Sequence, residues 1–398
     1  MSRAFLIVMD SAGCGGAPDA AEFGDAGANT LDHIAQACAR GDAQEGRSGP
    51  LKMPHLAGLG LGRAIMLSSG VPAPGLDADP QGIWGVATQH SPGKDTPTGH
   101  WELAGVPLRW DWHYFPTSGP AFSQEITQEV ARLSGAEGIL GNCHASGTEI
   151  IARLGEEHIR TGWPICYTSA DSVFQIAAHE EAFGLDRLIR LCRDIAPLLH
   201  SRRVGRVIAR PFVGSSATDF ERTKNRRDFV AAPPEPTLCD WVYDAGQPVH
   251  AIGKVGDIFS HRGITSLQKG TDAELMDHLE ALTRTAEDGS LCFANFVEFD
   301  ARFGHRRDVS GYARALEWFD AQLPRLFAGL QPGDLMVFTA DHGNDPTWRG
   351  TDHTRERVPV IGAGLGPKAI GIVDFVDIAA SIADHLGVPS HGPGRSFL

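Results

Sequence analysis

Cysteine is sparse and offers no framework. Seven thiols (Cys14, Cys38, Cys143, Cys166, Cys192, Cys239 and Cys292) are scattered through 398 residues, an odd number without a Cys-x-x-Cys pair. That pattern suits neither a disulfide scaffold nor a thiolate zinc site, and it points to a reducing cytoplasm. Long apolar runs are also missing. Near the N-terminus the longest, Ala4 to Met9, is too short for a signal-peptide core or a membrane span and stops at Asp10. No run of Lys or Arg occurs and the net charge is −14. Nucleic acid and anionic membrane surfaces are therefore expected to be repelled, so neither is expected as a partner. A small anionic substrate stays open, because a local cluster overrides the global sign. No internal repeat is evident, and the P-loop pattern GxxxxGK(S/T) is absent.

The remaining composition is that of a globular chain, with 42% apolar and 21% charged residues. At roughly 150 residues per domain the length suits two domains or one large α/β domain. The run Ala4–Met9, bounded by Asp10 and by Gly13, Gly15 and Gly16, reads as a buried parallel strand opening into a glycine-rich loop. Runs of the same character occupy 83–88, 249–254, 291–297, 335–340 and 358–362. Helical patterns alternate with them. Thr30 is a candidate cap for a helix to about Ala39. Tyr312, Leu316, Phe319, Leu323 and Phe327 define another, which Pro324 should kink or end. Phe375 to Leu386 forms a third, with Asp374 as N-cap. This alternation predicts an α/β fold with a mostly parallel central sheet flanked by helices.

The stretch 105–225 differs. It opens with Trp110, Trp112, Tyr114, Phe115 and Pro116, and carries its own helices near 123–134 and 184–199 and strands near 165–168 and 204–210. It reads as an inserted smaller α/β domain between core segments 1–104 and 226–398, with Pro233, Pro234 and Pro236 marking the return.

Chemistry-bearing residues stand at the ends of predicted strands. Asp10 follows the first. Asp300 follows 291–297, with His305 five residues on. Asp341 and His342 follow 335–340, with His353 beyond. Ligands gather at the carboxyl ends of strands in open α/β sheets. Three carboxylates and three imidazoles suffice for two divalent cations with open positions, and donors without thiolate suit Mn²⁺, Zn²⁺ or Mg²⁺. A second feature is the loop Gly93-Lys-Asp-Thr-Pro-Thr-Gly-His-Trp-Glu102. Such a loop can set a hydroxyl beside a cation, which lowers its pKa and makes it a nucleophile.

Segments 10–16, 93–102, 304–308 and 339–348, together with 145–149, 167–173, 205–211 and 350–356, resemble the phosphopentomutase family of the alkaline phosphatase superfamily. The resemblance runs from Phe5 to Phe397. It implies an alkaline-phosphatase-like core with two metal ions, both manganese, and an inserted smaller cap. Asp10, Asp341 and His342 would hold one ion, and Asp300, His305 and His353 the other. Thr96 matches the phosphoryl carrier when Gly99 and His100 serve as anchors, with Thr98 as the nearby alternative. Ser169, Asp171, Val173, Arg206 and Ile208 in the cap, and Lys254 in the core, match sugar-phosphate contacts. Arg206 and Arg210 are candidates for a distal phosphate.

The implied reaction interconverts α-D-ribose 1-phosphate and D-ribose 5-phosphate, and also 2-deoxyribose phosphates. It passes through a phosphothreonine and a 1,5-bisphosphate, with a sugar bisphosphate as activator. Glu298, Phe303, Arg227 and Phe229 depart from the family pattern without removing a ligand or the nucleophile. Rival activities are a phosphoglycerate mutase or a phosphatase. A phosphatase admits water to its phosphoenzyme, whereas a mutase excludes it, and the large insertion favours exclusion. A sulfatase lacks support, because no Cys-x-Pro-x-Arg stands at the nucleophile loop. A non-catalytic binding relative would have lost a ligand or both threonines, and all are present.

Overall fold

The structure, a computed structural model, describes residues 2–169 and 172–398. In chain order its strands are β1 (Ala4–Met9), β2 (Ile83–Thr88), β3 (Leu140–His144), β4 (Ile165–Thr168), β5 (Val173–His179), β6 (Arg206–Val213), β7 (Glu221–Arg222), β8 (Arg227–Val230), β9 (Val249–Ile252), β10 (Ser266–Gln268), β11 (Leu291–Phe296), β12 (Leu335–Thr339), β13 (Val358–Ala363) and β14 (Lys368–Asp374). They form two compact units. The larger comprises residues up to Trp110 together with Pro233–Leu398, and the smaller is Asp111–Ala232. Both boundaries fall later in the chain than the expected 105 and 225.

The larger unit is built on an eight-stranded sheet, ordered β10-β9-β11-β1-β12-β13-β2-β14. The pairs β11–β1 and β1–β12 are parallel, with Ala4 level with Leu291 on one side and Leu335 on the other. All six residues of β1 are buried, as a strand covered by helices on both faces requires. β13 alone runs against its neighbours, so the sheet is mixed at that point.

Two local expectations are corrected. The helix Thr30–Arg40 is preceded by Asn29, and Thr30 does not cap it; the Thr30 hydroxyl donates instead to Glu356 Oε1 at 2.7 Å. The helix Val309–Phe327 continues past Pro324. It ends three residues later, within one turn of the proline, so the expected stop is displaced by less than a turn. Asp374 does cap Phe375–Leu386, through a reciprocal capping box with Asp377.

In the smaller unit, β3-β4-β5-β6-β7 form a second sheet, and β8 also pairs with β6. Each face has its own core. Phe174, Ile176, Val207 and Ala209 pack with Ile126 and Val130 of helix Gln124–Ser134 and with Leu188, Leu191 and Ile195 of helix Leu185–Ser201. On the other face Tyr167, Ala177 and Phe212 pack with Ile150 and Ile151 of helix Gly147–Thr161. That helix and β5 had no counterpart among the sequence expectations.

His158, on Gly147–Thr161, is buried. Its Nδ1–H donates to the Trp163 carbonyl at 2.6 Å, and its Nε2 accepts the His179 N–H at 2.9 Å. Burial holds its pKa below the ordinary 6.5, with His179 and Arg187 adding to the effect against the Trp163 carbonyl. Below that ordinary value the unfolded chain takes up a proton that the folded ring refuses. The contribution to stability is thus complete above the unfolded value and is lost as pH falls. The melting temperature of His158→Gln should fall less between pH 7.5 and 5.5 than that of the unaltered chain. An equal fall would contradict the assignment.

Candidate active site

Three strands set the geometry. β11, β1 and β12 lie side by side and parallel, so their carboxyl ends open on the same side. Asp10 follows β1 directly. Asp341 follows β12 after a single residue. Asp300 lies in the short π-helix Phe299–Gly304 beyond β11. Ser11 takes φ 71°, a left-handed backbone that most side chains avoid. The turn aims its N–H at Asp341 Oδ1 (3.1 Å) and sets its hydroxyl 2.9 Å from Tyr312 Oη.

The imidazoles converge on these carboxylates. His305 Nε2 is 3.1 Å from Asp300 Oδ2, and His353 Nε2 is 3.3 Å from Asp300 Oδ1. The two Nε2 atoms are 3.2 Å apart. His305 Nδ1 donates to the Thr351 carbonyl (2.7 Å), His353 Nδ1 to the Lys94 carbonyl (2.8 Å), and His342 Nδ1 lies 3.1 Å from the Gly343 carbonyl. A carbonyl only accepts, so each neutral ring keeps its proton at Nδ1 and offers a lone pair at Nε2. This is the arrangement of a metal-ligating histidine. His342 Nε2 faces Asp341 Oδ2 at 3.3 Å and Asp10 Oδ1 at 3.6 Å.

Asp300, His305 and His353 form one group, and Asp10, Asp300 and His342 another, with ligand atoms within 4.8 Å of one another in each. Asp300 stands in both, and Asp341 stands beside the second. Asp10 Oδ1 and Asp341 Oδ2 are buried without a hydrogen-bond partner among the described residues. His100 Nδ1 lies 3.1 Å from that Asp341 oxygen, but its N–H is directed at the Thr96 carbonyl, 3.0 Å away.

The charges are strained accordingly. Burial pushes the Asp10 carboxyl well up, and Asp341 and Asp300 add repulsion against the relief from Lys254 and Asn295. Burial also opposes ionisation of Asp300, yet when His305 and His353 are protonated at Nε2 as well, their hydrogen bonds outweigh it and hold the carboxyl far below its usual range. Burial drives His342 down to about 4. His353 suffers the same burial, but Asp300, Asp10 and Asp341 hold it up at about 9. Orphaned carboxylate oxygens, lone pairs aimed inward and the absence of thiolate fit divalent cations.

Thr96 opens the helix Thr96–Leu103, and its Oγ1 lies 3.2 Å from His342 Nε2. Thr98 is placed differently. Asp95 caps the helix, accepting from Thr98 N (3.0 Å) and from Thr98 Oγ1 (2.7 Å). A Cβ added at Gly99 would sit 2.1 Å from the Asp341 carbonyl oxygen, so glycine there permits the close approach of this helix to the end of β12.

Supporting residues escaped the sequence reading. Asn295 Nδ2 donates to Asp10 Oδ2 (2.9 Å) and lies 3.0 Å from the unprotonated His100 Nε2. A buried polar residue inside the apolar strand β11 was the available signal. Arg355, 2% exposed, binds Asp19 Oδ2, Gln89 Oε1 and the Gly93 carbonyl. Glu356 accepts from Gly15 N, Thr30 Oγ1 and Thr354 Oγ1.

Of the expected sugar-phosphate contacts, Lys254 belongs to the larger unit, is exposed, and precedes the short helix Val255–Ile258. In the smaller unit, Ser169 follows β4 and its Oγ accepts from Gln175 Nε2 at 3.1 Å. Val173 opens β5 level with Arg206 on β6. Val207 and Ala209 belong to one core, so Arg206, Ile208 and Arg210 project from the opposite face, shared by Val173 and Gln175. Asp171 lies outside the described residues. Among the departures, Glu298 pairs with Arg302 (3.1 Å), and Phe229 packs on the core of Phe174 and Val207.

The family model of the metalloenzyme superfamily matches residues 2–390. A phosphopentomutase of Rhizobium leguminosarum bv. trifolii (strain WSM2304) is 58% identical over 406 aligned residues, covering 100% of both chains. That of Agrobacterium fabrum (strain C58 / ATCC 33970) is 56% identical with the same coverage. Among solved structures, Leishmania mexicana phosphoglycerate mutase is 13% identical with a TM-score of 0.45, covering 99% of this chain and 97% of its own. The PH0037 protein of Pyrococcus horikoshii is 13% identical with a TM-score of 0.44, covering 97% of each.

Two outcomes are expected. Because Asp300 serves both groups, Asp300→Ala should hold less than one divalent ion per chain after dialysis, whereas His305→Ala should keep the ion beside His342. Elemental analysis decides, and two ions retained in Asp300→Ala would refute the shared ligand. Asn295→Leu leaves Asp10 Oδ2 and His100 Nε2 without their partner, at about 1–3 kcal/mol for each buried group. Urea unfolding in the presence of chelator should show a loss of roughly 2–6 kcal/mol.

Proposed function

The chain belongs to the phosphopentomutase family of the metalloenzyme superfamily, and on that premise we propose that Thr96 carries the phosphoryl group in the interconversion of α-D-ribose 1-phosphate and D-ribose 5-phosphate. The chain is an intramolecular phosphotransferase of pentose phosphates. The carrier, the bisphosphate route, the acceptance of 2-deoxyribose phosphates and the use of manganese are this reading's additions.

One observation carries it: Thr96 Oγ1 is 3.2 Å from His342 Nε2 at the edge of the ligand cluster, while the Thr98 hydroxyl is spent on Asp95. Thr96 also opens a helix, whose unpaired N–H groups and dipole favour a phosphoryl group there.

In the reading, phosphorylated Thr96 gives its phosphoryl group to the free hydroxyl of a bound pentose monophosphate. The Thr96 Oγ1–P bond breaks, a sugar O–P bond forms, and the hydroxyl proton leaves toward Thr96 Oγ1. The 1,5-bisphosphate turns over and returns its other phosphoryl group, with the same bonds exchanged in reverse. Two divalent ions, held by Asp10, Asp300, His305, Asp341, His342 and His353, supply charge neutralisation at the transferring group. A sugar bisphosphate would prime Thr96. Ser169, Asp171, Val173, Arg206 and Ile208, with Lys254, are assigned to the sugar phosphate. Keeping water from the phosphorylated threonine is assigned to the smaller unit as a cap. Seven free thiols, six of them buried, support a cytoplasmic setting.

Thr96→Ala should lower the rate of ribose 5-phosphate formation at least about a thousand-fold, as loss of a covalent nucleophile does, while metal content by elemental analysis stays at the unaltered level. A coupled assay with added Mn²⁺ and a sugar bisphosphate measures the rate. Substantial turnover in Thr96→Ala would move the carrier to Thr98.

A further inference from the structure

Two arginines follow His305 in the chain. Arg306 is exposed. Arg307 is half-buried, and its backbone is left-handed, at φ 56°. Residues other than glycine take that conformation rarely, and where they do the surrounding contacts must hold it.

The contacts are those of its guanidinium. Nε donates to the Gly350 carbonyl (2.7 Å) and Nη2 to the Asp352 carbonyl (2.9 Å). Nη1 serves the Gly304 carbonyl (3.0 Å), the Asp345 carbonyl (3.1 Å) and Asn344 Oδ1. Asp345, Asp352, Asp300 and Asp25 all attract its charge.

The contact with Asn344 decides how that amide faces. A guanidinium only donates, so Asn344 must turn its oxygen toward Arg307 and its NH₂ away. That NH₂ meets the shared ligand: Asn344 Nδ2 donates to Asp300 Oδ1 at 2.6 Å. Asn344 is wholly buried, and its own N–H is tied to Thr30 Oγ1 at 3.1 Å. A Cβ added at Gly304 would sit 2.8 Å from Asn344 Nδ2, so glycine there admits the amide to the π-helix that carries Asp300.

The same guanidinium reaches the loop behind both imidazoles of this ligand group. Thr351, whose carbonyl holds His305 Nδ1, stands between Gly350 and Asp352, and Arg307 binds the carbonyls of both. His353 follows Asp352 directly. Asp300 itself turns Oδ2 toward His305 and Oδ1 toward His353. With no donor on either oxygen, a carboxylate can rotate about its Cβ–Cγ bond and exchange them. The Asn344 amide selects one arrangement.

We propose that Arg307 is a positioning residue of the metal centre. Through Asn344 it fixes the rotation of the Asp300 carboxylate, and through the carbonyls flanking Thr351 it fixes His305 and His353. The ion of that group then meets donors already in place. Outer partners of this kind orient the groups that touch a metal and tune its affinity. Lysine is a poor replacement, since one ammonium cannot hold an amide and several carbonyls in a fixed plane. The inference rests on the two-ion reading of the ligand cluster and adds the group that aligns one ion's ligands.

The test uses the full chain, stripped by chelator and titrated with Mn²⁺, with free ion followed by electron paramagnetic resonance. The unaltered chain should bind two ions. In Arg307→Gln the Kd of one should rise about 10–100-fold, the usual cost of losing an outer partner of a ligand, and that of the ion beside His342 should rise less. Arg307→Lys, which keeps the charge, should weaken the same ion to a smaller degree. Arg306→Gln, which removes an exposed charge next door, should leave both values unchanged. Loading with Co²⁺ gives a second readout. Its visible absorption follows ligand geometry and should differ between Arg307→Gln and the unaltered chain when both sites are filled. A merely structural role would lower the melting temperature of the metal-free chain, weaken both ions alike and leave the filled-site spectrum unaltered. That result overturns the inference, as do two unmoved Kd values in a folded Arg307→Gln chain or full affinity in Arg307→Lys. Fewer than two ions on the unaltered chain would overturn the two-ion reading, and this inference with it. No rate enters, so the outcome is independent of Thr96→Ala.

Discussion

Asp10, Asp300 and Asp341 are all buried around His342, with Asp10 and Asp300 oxygens within 4.8 Å of one another and Asp341 3.3 Å from the His342 ring, and the cost of placing that much negative charge out of water governs how the neighbouring chain is built. A carboxylate removed from water loses several kcal/mol of solvation unless a counter-charge replaces it. Here burial forces Asp10 toward its neutral form, while imidazoles hold Asp300 ionised. Protons and cations thus compete for the same lone pairs. The central placement of β11, β1 and β12 creates this crowding. Ser11's left-handed backbone and the close approach at Gly99 are local adjustments to it.

A shell of committed polar groups keeps the crowded residues from relaxing. Arg355 ties Asp19 to Gln89 and to the loop that leads into Thr96. Glu356 ties the 10–16 loop to Thr30 and Thr354, and burial with Asp345 nearby pushes its carboxyl up to about 7. Each bond is worth only about 0.5–1.5 kcal/mol net, but together they fix loops that would otherwise move independently. Donors fixed before reaction need no reorganisation during it.

Strands of the larger sheet were legible because burial on both faces demands unbroken apolar runs, and β1 and β2 fall where those runs lie. The ligand positions were legible because a charge after such a run has few structural uses. The direction of β13 was not, since an apolar run carries no polarity of its own. The second helix of the smaller unit was hidden by Gly147 and Gly155, and β5 by polar Gln175 and His179 in its span. The roles of Asn295 and His100 were hidden for another reason. A lone polar residue in a strand is read as an exception until the partner, here far away in sequence, is brought beside it. Thr30 illustrates the reverse error, a good capping residue whose hydroxyl is claimed by a tertiary acceptor.

The order of strands also bears on synthesis. β1 is made well before its neighbours β11 and β12, which begin only at Leu291 and Leu335. At roughly 5–20 residues per second, a nascent chain carries Ala-Phe-Leu-Ile-Val-Met without its partners for about 15–60 s. Such an apolar, uncharged segment is prone to pair with other chains. The smaller unit, continuous over Asp111–Ala232, can fold during that interval. The sequence order that gathers the carboxylates therefore leaves β1 without its sheet neighbours until β11 has been made.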